Sequence, residues 1–149
     1  MKKLLFVVLA FTASCICAVE IDQKLEIKTG DQLDALRKDA SGKLVNDVFV
    51  AFYRPEGCVA SDKLIPIFNK MSVEFPAVKF ATVSEANLGN FGAYFPPKKG
   101  SVVDQFPTIL FFSKASTKKW VNEETRRQIG GLDAGALKTK LTGWLNPQK

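Results

Sequence analysis

The stretch that decides the fold is Phe52-Tyr53-Arg54-Pro55-Glu56-Gly57-Cys58-Val59-Ala60-Ser61-Asp62-Lys63-Leu64-Ile65-Pro66. It begins within the run Asp47–Tyr53, which is almost wholly apolar and rich in β-branched and aromatic residues, as expected of a strand covered on both faces. Beyond Cys58, apolar residues recur at helical spacing, namely Leu64, Ile67, Phe68, Met71 and Phe75. Cys58 is therefore predicted to lie in the turn between a buried strand and a helix.

Strands and helices are predicted to alternate on either side of this stretch. Further strands are expected at 19–28, 78–83 and 108–112. The residues around Trp120-Val121 and Arg127–Ile129 are expected to form an antiparallel partner strand. Helices are expected after Thr29-Gly30-Asp31 and after Asp133. The order βαβαβ, loop, ββα predicts an α/β fold with a mixed sheet. The long connection Ser84–Phe106 carries Phe91, Tyr94 and Phe95, which either pack over the core or form an apolar lip that binds a partner.

Cys58 is the candidate nucleophile. The unpaired N–H groups and the partial positive charge at the start of a helix favour thiolate over thiol. Such positions lower the pKa of a cysteine from about 8.5 to roughly 3.5–7.5, although the neighbouring Glu56 is expected to oppose this shift. The alternative is that Cys58 is a small buried apolar residue without chemistry.

Four segments in this order resemble the thioredoxin and protein disulfide isomerase superfamily. Phe52–Pro55 and Cys58–Pro66 are similar to its active-site pattern Phe-Tyr-Ala-Pro-Trp-Cys-Gly-His-Cys-Lys-x-Leu-x-Pro, Phe106–Phe112 to its cis-proline strand, and Ile129–Asp133 to its last strand and the glycine that follows. The resemblance implies a thioredoxin fold, a mixed β-sheet flanked by helices on both faces, in one domain at 19–149. It also implies that Cys58 is the attacking cysteine. A cis bond at Pro107 would turn the backbone of Phe106 outward beside Cys58, where its exposed N–H and C=O could pair with an extended client strand.

Two departures from the family pattern define the expected chemistry. Ser61 stands in the place of the resolving cysteine, and Ala51 in the place of the buried acid that manages protons. The resemblance therefore implies a monothiol Cys-x-x-Ser variant, with weak disulfide isomerase activity or monothiol thiol–disulfide exchange at most. It argues against an efficient dithiol oxidoreductase, because a serine hydroxyl cannot form an S–S bond.

The N-terminus has the pattern of a secretory signal peptide at 1–18. The basic start Met1-Lys2-Lys3 precedes the apolar run Leu4–Phe11, and small residues lead to Ala18. The run is shorter than the roughly 20 residues that span a bilayer, so no membrane span is expected. The pattern predicts entry to the secretory pathway, ending in the endoplasmic reticulum lumen or outside the cell. A buried N-terminal element and a periplasmic lipoprotein site at Cys15 are the alternatives that fit less well.

Composition excludes several other classes of function. With no His and three Cys, two of them at 15 and 17, the chain has no Cys-His or Ser-His-Asp pair and no four-Cys zinc site. No metal or cofactor is therefore expected. The 21 Lys and Arg against 15 Asp and Glu are spread as isolated pairs, such as Lys98-Lys99, rather than gathered with stacking aromatics. Nucleic acid is not an expected partner.

Three functions remain open from the sequence. In the first, Cys58 forms mixed disulfides with client proteins that carry thiols or disulfides, or links two copies of the chain as a homodimer. In the second, the domain is a redox-inactive binding or escort module for secretory proteins, and Cys58 is incidental. In the third, glutathione is the thiol partner, as Gly130-Gly131-Leu132-Asp133 suggests, although the 23 residues between Pro107 and Gly130 exceed the glutaredoxin spacing.

Overall fold

Within the residues that the structure describes, four strands form one mixed sheet in the order β2-β1-β3-β4. In the computed structural model, which describes residues 25–92, 94, 103–116 and 127–146, the strands are β1 (Val48–Tyr53), β2 (Lys79–Ser84), β3 (Thr108–Phe112) and β4 (Arg127–Ile129). The central β1 pairs parallel with β2 and antiparallel with β3, and β3 pairs antiparallel with β4. The mixed sheet and the antiparallel partner at Arg127–Ile129 are as predicted.

The helices begin where the sequence offers caps. They are α1 (Gly30–Arg37), α2 (Val59–Glu74) and α3 (Ala134–Leu145), with a 3₁₀ helix at Glu85–Phe91. Thr29 and Gln32 form a capping box at the start of α1. Asp133 caps α3, its carboxylate accepting the Ala136 N–H at 2.8 Å. Both predicted caps are confirmed.

Every residue of β1 is buried, which shows that the sheet is covered on both faces. Alternate residues of β1 face opposite layers. Phe49 and Ala51 pack in one core layer with α2 and α3, a layer that includes Leu64, Phe68, Leu137 and Leu141. Val48, Val50 and Phe52 pack in the other layer with Leu33 of α1 and Phe91. The predicted fold class, a mixed sheet flanked by helices on both faces, is confirmed.

The aromatic residues after β2 pack over the core. Phe91 is fully buried and Tyr94 is 2% exposed. The Tyr94 hydroxyl donates to the Asp34 carboxylate, and its ring meets Phe112 edge-on with centroids 5.6 Å apart. Burial has the largest effect on the pKa of Tyr94 and the bond to Asp34 the second largest, and the pKa is raised to about 12. The lip alternative is therefore wrong for these two residues, while Phe95 lies outside the described residues.

Several predictions fall wholly or partly outside the described residues. They are the signal peptide at 1–18, most of the strand at 19–28 and the segment around Trp120-Val121. Of the first predicted strand, the structure describes a single parallel bridge between Glu26 and Thr82, with the Ile27 N–H donating to the Thr82 carbonyl at 2.9 Å. Within the part of the chain that the structure describes, no helix has the length and apolar character needed to cross a membrane.

Candidate functional site

The strand register brings two loops together at one end of the sheet. Because β1 and β3 are antiparallel, with Phe52 opposite Thr108, the turn that follows β1 lies beside the residues that precede β3. Gly57 in this turn has a φ of 70°, a left-handed conformation that glycine adopts without the steric cost of a Cβ. The chain then enters α2 directly after Cys58, which is the N-cap residue of that helix.

Cys58 and Phe106 are in direct contact. The half-buried Cys58 thiol donates to the backbone carbonyl of Phe106, with Sγ and O 3.6 Å apart. The peptide bond between Phe106 and Pro107 is cis, as the resemblance implied. Cys58 is thus in contact with Phe106, the residue before Pro107, although 48 positions separate Cys58 from Phe106 in sequence. Three of the four predicted site residues therefore lie together.

Ser61, the fourth predicted residue, lies on the first turn of α2 and is 1% exposed. Its hydroxyl accepts a hydrogen bond from the backbone N–H of Arg54, with an N–O distance of 3.2 Å. This bond joins the end of β1 to the start of α2 and fixes the turn that carries Cys58. Ser61 therefore has a structural partner, in addition to any role toward the thiol.

Four groups around the thiol favour its ionised form. The Ser61 hydroxyl has the largest effect, followed by the backbone N–H groups of Ser61 and Ala60 and by the Arg54 cation. Burial acts in the opposite direction. The net result is that the pKa of Cys58 lies below its usual range. In the neutral form the weak S–H donor bonds to Phe106 instead. The expected direction of the shift is confirmed. The expected opposition from Glu56 is not found among the groups that act on Cys58.

Arg54 is a site residue that the sequence analysis missed. Its Nε and Nη2 donate to the two carboxylate oxygens of Glu85 at 2.6 and 2.8 Å, and its guanidinium lies over the Phe106 ring, with the carbon Cζ 5.3 Å from the centroid. Each partner shifts the pKa of the other, which raises that of Arg54 and lowers that of Glu85. The sequence feature that could have identified Arg54 is its position, where the family pattern has alanine.

Ala51, the residue that the sequence comparison set against a buried acid, lies in an apolar layer. Ala51 is fully buried and faces Thr82 across the β1–β2 pair. The Thr82 hydroxyl is also buried and has no hydrogen-bond partner among the described residues. A threonine hydroxyl does not ionise near neutral pH, so these two residues provide no carboxylate that could take a proton from a thiol.

The Gly-Gly-x-Asp segment closes the same end of the fold. Gly130 has a φ of 82°, and its N–H donates to the Pro107 carbonyl at 2.8 Å, which ties the end of β4 to the start of β3. The carboxylate of Asp133 is engaged as the cap of α3. Its function in the structure is thus to begin a helix, which weakens the argument for glutathione from this segment.

The architecture is that of a thioredoxin fold. A solved thioredoxin from Trypanosoma brucei brucei aligns with 80% of this chain and 88% of its own, with a TM-score of 0.56 and 20% identity. Poplar thioredoxin h aligns with 83% of this chain and 96% of its own, with a TM-score of 0.57 and 21% identity. Chloroplastic thioredoxin z aligns with 81% of this chain and 94% of its own, with a TM-score of 0.55 and 17% identity. No protein-family model and no curated protein matches the sequence, and at these identities the structural likeness defines the fold alone.

Proposed function

We propose that this chain is a monothiol thiol–disulfide exchange protein of the secretory pathway, which forms mixed disulfides with client proteins through Cys58. The observation that carries the proposal is the contact between the Cys58 thiol and the Phe106 carbonyl at 3.6 Å, at the start of α2 and within reach of donors that stabilise a thiolate. Phe106 is half-buried, and a nucleophile next to a backbone segment that can pair with an extended client is what capture of that client requires.

The exchange step conserves electrons. The Cys58 thiolate attacks one sulfur of a client disulfide, a new S–S bond joins Cys58 to the client, the client's own S–S bond breaks, and its second sulfur leaves as a thiolate that takes a proton from water. The client disulfide is thereby replaced by a mixed disulfide. No cofactor or external oxidant enters this step.

Release of the client depends on a thiol from outside the described site. Ser61 occupies the first turn of α2 where a second cysteine would attack the mixed disulfide, and a hydroxyl cannot make that attack. Glutathione or a client thiol would have to displace Cys58. Cleavage of a mixed disulfide between two copies of the chain would likewise need a thiol from outside the site.

Trapping tests the proposal. The full chain is expressed in eukaryotic cells with its N-terminal segment, thiols are blocked with an alkylating agent at lysis, and the purified protein is run on non-reducing gels. Wild type is expected to give adducts that disappear on reduction and are absent in Cys58→Ser. In Ser61→Cys the same adducts should be fewer, because a second thiol can release them. Absence of adducts from wild type in the oxidising compartment would contradict the proposal.

One observation favours an escort function without thiol chemistry. In the neutral state the Cys58 S–H group is engaged by the Phe106 carbonyl, an arrangement that also suits a structural thiol. An escort would bind its client equally in wild type and in Cys58→Ser. Equal co-purification of one client with both proteins would therefore support the escort.

The secretory location is part of the proposal and rests on the sequence pattern at 1–18. If the segment is a signal peptide, the mature chain begins at Val19. Mass spectrometry of the protein recovered from the medium or from microsomes measures this directly. Recovery of a cytosolic chain with its N-terminus intact would contradict the proposed location.

A further inference from the structure

A charged pair lies at the same end of the sheet as the candidate nucleophile. The parallel register of β1 and β2 sets Tyr53 beside Ser84, so the next residues along, Arg54 and Glu85, also lie side by side. Their side chains are half-exposed, at 50% for Arg54 and 39% for Glu85. The pair is therefore at the surface, at the same end of the sheet as Cys58.

Phe106 connects this pair to the thiol. Its carbonyl oxygen accepts from the Cys58 thiol at 3.6 Å, and its ring lies under the Arg54 guanidinium at 5.3 Å. The thiol and the guanidinium are therefore both in contact with Phe106. The cation also acts electrostatically on Cys58, which is consistent with this proximity.

The guanidinium has donors to spare. Glu85 occupies the edge formed by Nε and one N–H of Nη2, and Phe106 covers one face. Arginine carries five N–H donors, and its second edge, formed by Nη1 and the other N–H of Nη2, matches a carboxylate in the same two-bond geometry. Within the described parts of the chain, no residue bonds to this second edge. Glu85 holds the first edge in place, so the second edge is oriented before any partner arrives.

We propose that Arg54 is a specificity-determining residue, which selects disulfide partners that carry a carboxylate close to the reacting sulfur. This inference rests on the proposed function, since it concerns the choice of partner in the same exchange at Cys58. The partner class comprises disulfides of cysteine-containing peptides with an acidic residue beside the cysteine, and disulfides of small acidic thiols. In each case the Cys58 thiolate attacks the partner disulfide, one S–S bond forms as another breaks, and the leaving thiolate is protonated by water.

The test uses three alkyl disulfides that differ mainly in charge, which are dithiodipropionate with two carboxylates, neutral hydroxyethyl disulfide and cationic cystamine. The rate at which each modifies Cys58 in the full folded chain is followed at low ionic strength by mass spectrometry of digested samples, which distinguishes Cys58 from Cys15 and Cys17. The measured quantity is the ratio of the anionic to the neutral rate. Because all three reagents meet the same thiolate, this ratio is independent of any change in the ionised fraction of Cys58.

Wild type is expected to prefer the anionic reagent, and Arg54→Gln should lower the ratio by about two- to fivefold, the range of exposed charge pairs. Arg54→Lys keeps the charge but not the planar edge, so it should retain only part of the preference. Lys114→Gln is the matched control. Lys114 is also paired with a carboxylate, that of Asp47, at an N–O distance of 3.7 Å, but it follows β3 at the opposite end of the sheet.

An unchanged ratio in Arg54→Gln would overturn the inference, as would an equal fall in Lys114→Gln, which would mean that overall charge sets the preference. Full retention in Arg54→Lys would overturn the assignment to the guanidinium edge. Failure of the proposed function gives a different result. In that case the neutral reagent would modify Cys58 in wild type no faster than it modifies the unfolded chain.

Discussion

Replacing Ser61 with alanine tests both roles that the structure gives its hydroxyl. The change removes the acceptor of the Arg54 backbone N–H at 3.2 Å and leaves a donor unpaired next to a side chain that is 1% exposed. An unsatisfied buried donor costs about 1–3 kcal/mol. The better helix propensity of alanine returns up to about 0.5 kcal/mol. The free energy of unfolding should therefore fall by about 0.5–3 kcal/mol.

The same change should alter the chemistry of Cys58. The Ser61 hydroxyl is the largest of the effects that lower the pKa of Cys58, so its removal raises that pKa and reduces the thiolate fraction at neutral pH. Alkylation of Cys58 by iodoacetamide should become slower at pH 7, and the midpoint of its pH profile should move upward. Stability is measured by urea unfolding of the same samples.

Ser72→Ala is the matched control, because it makes the same substitution in the same helix. The Ser72 hydroxyl donates to the Asn69 carbonyl at 2.7 Å and has no role at the thiol, so its loss should change stability by less than about 0.5 kcal/mol and leave the alkylation profile unchanged. The reasoning is refuted if Ser61→Ala keeps both the stability and the alkylation midpoint of wild type.

Other perturbations have separable outcomes. Leu137→Ala empties a fully buried position between α3 and the sheet and should lower the free energy of urea unfolding by about 2–5 kcal/mol, whereas Val73→Ala, at an 80% exposed position, should change it by less than about 0.5 kcal/mol. Ser61→Cys should raise turnover in an insulin reduction assay that wild type performs poorly, and rapid wild-type turnover would contradict the monothiol argument. Spectrophotometric titration should find both tyrosines ionising above pH 10, with Tyr94 near 12 and Tyr53 raised chiefly by burial. Since the folded pKa of Tyr94 is raised, its stabilising effect should be complete below pH 10 and be lost as the pH rises through about 12. A tyrosine that titrates at an ordinary value in the folded protein would contradict this burial.

Much of the fold could be predicted because local signals agree with each other. The continuous apolar run Asp47–Tyr53, the helical spacing after Cys58 and the caps at Thr29 and Asp133 depend on neighbours in sequence. Contact between Cys58 and Phe106 could be expected only through the family resemblance, because 48 residues separate them.

The residues that sequence reasoning missed are set by register. Arg54 and Glu85 become neighbours only when β1 and β2 pair in parallel with Tyr53 beside Ser84, and no local pattern specifies that alignment. The bond from Tyr94 to Asp34 spans 60 residues and depends on how the connection after β2 folds back over α1. Both interactions involve polar side chains, to which the hydrophobic pattern is insensitive.

The fold is expected to make Cys58 a better nucleophile than an ordinary cysteine. For a thiol whose pKa lies above the ambient pH, each unit by which it falls raises the thiolate fraction about tenfold and lowers the reactivity of the thiolate about threefold, so the net rate rises. The direct test is the rate of reaction between Cys58 and neutral hydroxyethyl disulfide at pH 7, in the folded chain and in a peptide of residues 52–66. A faster reaction is expected in the folded chain, and an equal or slower reaction would show that the fold does not activate Cys58.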